Sequence, residues 1–132
     1  MKPCYKPFPD ESDTSLGAAL KRKRLELEWT QQDTADYFGI LKDSYQKWEW
    51  NQNIPDIKKR KTVIKFLGFN YWDDGTNTLS NRVKLYRIEY GLYRNDLAKQ
   101  IGVSDSTIER IEKNRVLVSD ELLKLIEKYI FH

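Results

Sequence analysis

The sequence of 132 residues contains one cysteine, Cys4, and one histidine, His132. A single cysteine excludes an internal disulfide, and these two side chains are too few to form a zinc site. No Cys-His or Ser-His pair and no glycine-rich phosphate loop indicates catalysis. We therefore expect a protein that is not an enzyme and has no catalytic residue, metal or cofactor.

Long apolar runs are also absent from the sequence. A transmembrane helix needs about 20 largely apolar residues, so no membrane-spanning segment is expected. Residues 1–14 contain three prolines and no apolar stretch, which predicts an extended N-terminal arm rather than a signal peptide. The expected protein is cytoplasmic, with one or two small domains and no membrane partner.

Charge of one sign is only slightly in excess, with 23 basic and 20 acidic residues and a net charge of +3. That balance alone does not indicate a nucleic-acid partner. Residues 16–67 carry 11 basic and 7 acidic side chains, and residues 79–132 carry 10 and 8. The basic residues therefore lie in two blocks on either side of an acidic segment.

The two blocks are predicted to be copies of one unit. A shift of 63 residues aligns Leu20–Leu67 with Val83–Ile130 without a gap. Identical pairs in this register are Lys21/Lys84, Arg24/Arg87, Glu26/Glu89, Asp33/Asp96, Ala35/Ala98, Gly39/Gly102, Glu49/Glu112, Asn51/Asn114, Lys61/Lys124 and Lys65/Lys128. We infer an internal duplication, with an arm at 1–14, a first domain at 15–69, a linker at 70–78 and a second domain at 79–132.

Each copy is predicted to consist of helices with short connections. Thr30 is a suitable N-cap for a second helix, which Gly39 ends. A third helix is expected at about residues 42–50 and 105–113, ended by Asn51 and Asn114, which tolerate left-handed geometry. Leu41 stands where the third helix of the second copy has a capping serine, Ser104. No useful β-strand alternation appears.

The stretches TQQDTADYFG at residues 30–39, ILKDSYQKWE at residues 40–49 and LAKQIGVSDSTIERIE at residues 97–112 resemble the Cro and phage-repressor (XRE-type) helix-turn-helix family. The resemblance covers about residues 15–69 and 79–131. It implies an all-α chain of two tandem lambda-repressor-like domains with about four to five helices each. It also implies ion pairs between the first and third helices, which we interpret as structural: Arg24 with Glu49, and Arg87 with Glu112.

The resemblance further implies that the third helix of each copy enters the DNA major groove, whose width of about 12 Å admits one helix. Its outward residues are expected to be Lys42, Asp43, Ser44, Gln46 and Lys47 in the first copy, and Asp105, Ser106, Thr107, Glu109 and Arg110 in the second. All of these except Gln46 and Glu109 are predicted base contacts. Lys47 and Arg110 suit guanine, whereas Asp43 and Asp105 suit either cytosine or the N-terminus of their own helix.

Further side chains are predicted to contact phosphates: Gln31, Gln32, Arg94, Asn95, Lys58 and Lys59. For the basic run at residues 58–61, a solvated helix face is an equally good interpretation. Trp29, Trp48, Trp50 and Trp72 are interpreted as packing residues rather than as a stacking platform for single strands.

These features predict a sequence-specific regulator of transcription that binds double-stranded DNA and acts, most simply, as a repressor. No small-molecule ligand is expected. A second copy of the chain or another protein is a further candidate partner. The alternative is a protein-interaction or antitoxin-like module, in which one domain binds a protein and the other binds DNA.

Overall fold

The computed structural model describes residues 8–114 and 118–130. Within these ranges every regular element is an α-helix, which confirms the expected all-α class. The helices are α1 Leu16–Glu26, α2 Gln31–Phe38, α3 Lys42–Glu49, α4 Ile57–Leu67, α5 Leu79–Tyr90, α6 Arg94–Ile101, α7 Asp105–Glu112 and α8 Asp120–Ile130. Cys4, His132 and the first half of the predicted arm lie outside the described residues.

The chain divides into two compact units, Met1–Phe69 and Asn70–His132. The described part of each unit contains four helices. Each helix of the second unit begins 63 residues after its counterpart in the first, the same shift that relates the two halves of the sequence.

The helix ends follow from local chemistry. The Thr30 hydroxyl accepts a hydrogen bond from the Asp33 N–H, and the Asp33 carboxylate accepts one from the Thr30 N–H, so the predicted N-cap is confirmed. Gly39 adopts φ 68°, and Asn51 and Asn114 adopt φ 58° and 55°. These left-handed residues stop α2, α3 and α7 as expected and turn the chain toward the next helix.

The first unit has an aromatic core. Phe38 of α2 lies 5.2 Å from Phe66 of α4 and 5.4 Å from Trp48 of α3 between ring centroids. Tyr45 and Val63 are completely buried beside them. Each fully buried large side chain contributes about 1.5–3 kcal/mol, so α2, α3 and α4 are held together mainly by this cluster.

The second unit has an aliphatic core at corresponding positions. Its fully or nearly fully buried residues are Val83, Leu97, Ala98, Ile101, Ile108, Ile111 and Ile126. Ile108 stands at the position of Tyr45 in the first unit, and Ile111 at that of Trp48. The same helical framework is therefore filled by branched aliphatic side chains instead of rings.

Two flanking segments are bound to the first helix of a unit. Arg22 of α1 donates to the carbonyl oxygens of Asp10 and Asp13, which holds residues 10–13 of the predicted arm in a turn. Within the predicted linker, Asp73 and Thr76 accept hydrogen bonds at 2.9 Å from the amide of the buried Asn81. Residues 73–76 are thus anchored to α5.

Candidate nucleic-acid interface

The inner faces of α3 and α7 hold these helices in their units. Tyr45 and Trp48 are buried on α3, and Ile108 and Ile111 on α7. Because a helix repeats every 3.6 residues, the residues between these positions face outward. Each of the two helices therefore offers one polar face to a partner.

The predicted base contacts lie on these outward faces. Lys42, Asp43, Lys47, Asp105, Ser106 and Arg110 are exposed, and Ser44 and Thr107 are half-buried. Gln46 and Glu109, which are not among the predicted base contacts, are half-buried beside them. Long basic and short polar side chains are thus side by side on the outward face of each helix, the combination that reads base edges in the major groove.

The N-termini of the two helices differ as expected. Leu41 makes no side-chain cap to α3, and 76% of its surface is exposed. Ser104 accepts a hydrogen bond from the Thr107 N–H, and its hydroxyl also lies 3.0 Å from that of Ser106 and 2.8 Å from that of Thr107. Ser106 and Thr107, two of the three predicted base contacts in the first turn of α7, therefore share a hydroxyl network with the cap.

A buried ion pair joins the first and third helices of each unit. Arg24 Nε lies 2.5 Å from Glu49 Oε2, and Arg87 Nη1 lies 2.8 Å from Glu112 Oε2. Both glutamate side chains are only 2% exposed. Burial lowers the pKa of Arg24, but the hydrogen bond and charge of Glu49 outweigh it and raise that pKa. The two ion pairs fix α3 on α1 and α7 on α5.

A side chain at the start of the second helix adds a third member to each pair. In the first unit, Gln31 Nε2 donates to Glu49 Oε1 at 3.1 Å, and Gln46 Nε2 donates to Gln31 Oε1 at 2.9 Å. Gln31, a predicted phosphate contact, is thus hydrogen-bonded to two residues of α3.

The second unit builds the corresponding network from charged groups. Arg94 Nε lies 3.2 Å from Glu112 Oε1, and Arg94 Nη1 lies 3.8 Å from Glu109 Oε2. Lys113 Nζ lies 3.3 Å from Glu109 Oε1. The predicted phosphate contact Arg94 is therefore already paired with two carboxylates, although 42% of its side chain remains exposed.

The other predicted phosphate contacts have varied environments. Lys59 Nζ donates to the Phe38 carbonyl oxygen at 2.9 Å, so this ammonium group caps the C-terminus of α2. Gln32 donates to Asp36 on its own helix. Lys58 and Asn95 are exposed. The sequence pattern missed the capping role of Lys59, because it depends on a contact between residues 21 apart in the chain.

A surface concavity of about 380 Å³ lies between the N-terminal turns of α6 and α7. Its wall includes Arg94, Asn95, Asp105, Ser106 and Glu109. Four of these are predicted DNA contacts from two different helices, so the fold brings the phosphate and base candidates of the second unit into one place.

The tryptophans do not form a single stacking surface in the first unit. Trp48 is in the core, and Trp29 packs 5.6 Å from Tyr37 and 5.9 Å from Phe66. Trp50, at the C-terminus of α3, is 58% exposed. Only Trp50 of these three presents most of its surface to a partner.

The part of the chain that the structure describes lacks two other classes of site. No group of three or more histidine, cysteine, aspartate or glutamate side chains in this part of the chain is arranged to hold a metal ion. No helix within it has the length and apolar character needed to cross a membrane.

Comparison with known proteins gives one match. Residues 83–131 match the family model HTH_3, described as helix-turn-helix. No curated protein and no solved structure matches the chain. The match lies wholly within the second unit and includes α6 and α7. Residues 83–131 are thus similar to the helix-turn-helix family.

Proposed function

We propose that the protein is a sequence-specific regulator of transcription that binds double-stranded DNA through two tandem helix-turn-helix domains. In each domain the third helix, α3 or α7, lies in the major groove. Bound over a promoter, the protein excludes other proteins and acts as a repressor.

One observation carries the proposal: in both units a buried Arg-Glu pair and two buried core residues hold the third helix with its polar face outward. Lys47 and Arg110 occupy the same position on those faces, and both are exposed. A basic side chain on a helix face can donate to guanine O6 and N7. The helix-turn-helix match of residues 83–131 supports this role for α7.

The preferred DNA site is expected to be asymmetric. The outward residues of α3 and α7 differ at nearly every position, so two units of one chain require two different half-sites. Equivalent protection of two inverted half-sites by one monomer would contradict this expectation.

Selection of bound duplexes from a random library tests the proposal directly. A defined, asymmetric sequence is the expected result. Recovery of unrelated duplexes, or of none, would overturn the assignment as a sequence-specific DNA-binding protein.

Substitutions on the two helices test which unit reads bases. Lys47→Ala and Arg110→Ala are each expected to reduce affinity for the selected site by about tenfold, and less for unrelated DNA. Lys65→Ala and Lys124→Ala, on exposed positions of α4 and α8, are matched controls that remove the same charge elsewhere. Equal losses in test and control variants would contradict base reading.

Salt dependence tests the phosphate contacts. With two or three contacts from each unit, log K should fall against log salt with a slope of about −4 to −5, and with about half that slope if one unit docks. Salt-independent binding would exclude docking on the DNA backbone.

Exposed apolar side chains on the first unit favour a second candidate function. Leu41, Trp50 and Ile54 are 76%, 58% and 69% exposed, a combination that suits a protein partner. In this alternative the first unit binds a protein, as an antitoxin does, while the second binds DNA. Size-exclusion mass measurement and a pull-down separate the two, because only the alternative requires a tight stoichiometric protein complex.

A further inference from the structure

The polar networks at the start of α2 and α6 correspond residue by residue. A shift of 63 residues places Gln31 on Arg94, Gln46 on Glu109 and Glu49 on Glu112. The buried glutamate is the same in both units, whereas the other two members change together from a neutral amide pair to an ion pair. In both cases a residue of the second helix contacts a partly exposed residue of the third.

We propose that Gln46 and Glu109 each read one base, positioned by Gln31 and Arg94. Gln46 selects adenine and Glu109 selects cytosine. The half-sites bound by the two units therefore differ at the base that these residues contact. The inference rests on the proposed function, because it needs α3 and α7 in the major groove.

The orientation of the Gln46 amide follows from the buried carboxylate. Both oxygens of the Glu49 carboxylate accept hydrogen bonds from Arg24, so Gln31 must present its NH₂ group to Glu49 and its carbonyl oxygen to Gln46. Gln46 must then direct its own NH₂ group to Gln31. The Gln46 carbonyl oxygen and its second N–H are left for a ligand, and adenine takes this donor and acceptor pair at N7 and N6.

Glu109 presents different chemistry at the corresponding position. Its carboxylate offers acceptors, which suit the amino group on cytosine N4. Its side chain is 45% exposed and lines the concavity shared with Asp105 and Ser106. Glu109 therefore lies beside residues already predicted to contact bases.

A carboxylate close to phosphates needs nearby positive charge. Arg94 and Lys113 supply it, each beside a different carboxylate oxygen of Glu109. The residue corresponding to Lys113 in the first unit is Trp50, which carries no charge and accompanies the neutral Gln46. Cations therefore occupy these two positions only in the second unit, where the base-contacting residue is Glu109. They can both position its carboxylate and neutralise its charge.

An exchange of the pairs between units tests the inference. The variant Arg94→Gln with Glu109→Gln installs the amide pair of the first unit in the second. Selection from a random duplex library is expected to recover the wild-type site with one cytosine replaced by adenine, a change in preference of about tenfold or more. The reciprocal variant, Gln31→Arg with Gln46→Glu, is expected to replace one adenine by cytosine in the other half-site.

The outcomes are distinguishable. If the wild-type chain selects no sequence, the proposed function fails. If the wild-type chain selects a site and both exchanged variants select that same site, the inference is overturned. It is also overturned if the exchanges change the affinity for all duplexes equally. Circular dichroism and thermal melting check that each variant is folded, and either exchange alone decides the question if the other variant does not fold. Positioning by Arg94 is tested by Arg94→Lys, which keeps the charge but is expected to weaken the cytosine preference.

Discussion

Gly17 of α1 packs so closely against the carbonyl oxygen of Glu49 on α3 that a Cβ atom at residue 17 would overlap that oxygen. The Asn51 side chain completes this contact, because its Oδ1 accepts a hydrogen bond from the Gly17 N–H at 2.9 Å. In the second unit, Ser80 stands at the position of Gly17, and its hydroxyl donates to the Glu112 carbonyl oxygen at 2.5 Å. The third helix of each unit is therefore held at its C-terminal end by the first.

Gly17→Ala is expected to destabilise the first unit by about 1–3 kcal/mol, because the new methyl group would force the backbones of α1 and α3 apart. Urea unfolding followed by tryptophan fluorescence measures this, since three of the four tryptophans lie in the first unit. Helix propensity alone predicts the opposite sign, a gain of about 1 kcal/mol. An observed gain would therefore contradict the close packing.

Arg24→Met is expected to destabilise the first unit by about 3–5 kcal/mol, because it leaves the carboxylate of Glu49 buried without its ionic partner. Chemical denaturation measures the loss. The double variant Arg24→Met with Glu49→Met is the control, and it should recover most of the stability because no charge stays buried. A double variant as unstable as the single one would show that the pair contributes more than charge compensation.

Leu41→Ser is expected to stabilise the first unit by about 1 kcal/mol, because the hydroxyl can cap α3 where the wild-type residue makes no cap. Ser104→Ala is the matched opposite change in the second unit and is expected to cost about as much. Thermal melting of both variants measures the effects. A loss of stability on Leu41→Ser would indicate that this exposed leucine makes a stabilising contact.

Asn81→Ala is expected to raise the pKa of Asp73 toward 3.8. In the wild-type chain, hydrogen bonds from the Asn81 amide and then from the Gly75 N–H hold this pKa below that value. A lowered carboxyl pKa contributes stability above the pKa of the unfolded chain, and that contribution is lost as pH falls through the folded pKa. The wild-type second unit should therefore lose part of its stability below about pH 4.

NMR titration of the Asp73 carboxyl carbon in both proteins measures the change. Asp33 is the internal control, because the Thr30 N–H lowers its pKa independently of Asn81. An Asp73 pKa that is the same with and without Asn81 would contradict the hydrogen bond.

Much of the fold was predictable because its signals are local. The capping pair at Thr30 and Asp33, the glycine at residue 39 and the asparagine at residue 51 each act within a few residues of chain. The pairing of Arg24 with Glu49 and of Arg87 with Glu112 is long-range, and it followed from the resemblance to the helix-turn-helix family. The local predictions needed only helical periodicity and the capping chemistry of single residues.

The availability of the candidate DNA contacts was less predictable. Residue type and position predict that Gln31, Arg94 and Lys59 contact phosphates, yet each is bonded within its own unit. The sequence pattern places Gln46 and Glu109 on the outward face but indicates no role for them. The sequence does contain a signal for this contact, because Gln31 and Gln46 are both replaced by charged residues, Arg94 and Glu109, in the second copy. The paired replacement can be interpreted only once the two side chains are known to be in contact.

The sequence by itself determined the helices, their caps and the 63-residue repeat of identical residues, because these depend on neighbouring residues or on a fixed spacing. The family resemblance added the partners of the two buried ion pairs. Only the tertiary structure decided which polar side chains are engaged across helices. A hydrogen bond between Gln31 and Gln46, or between Lys59 and the Phe38 carbonyl, depends on the distance between packed helices, which the polar or charged character of a residue does not encode.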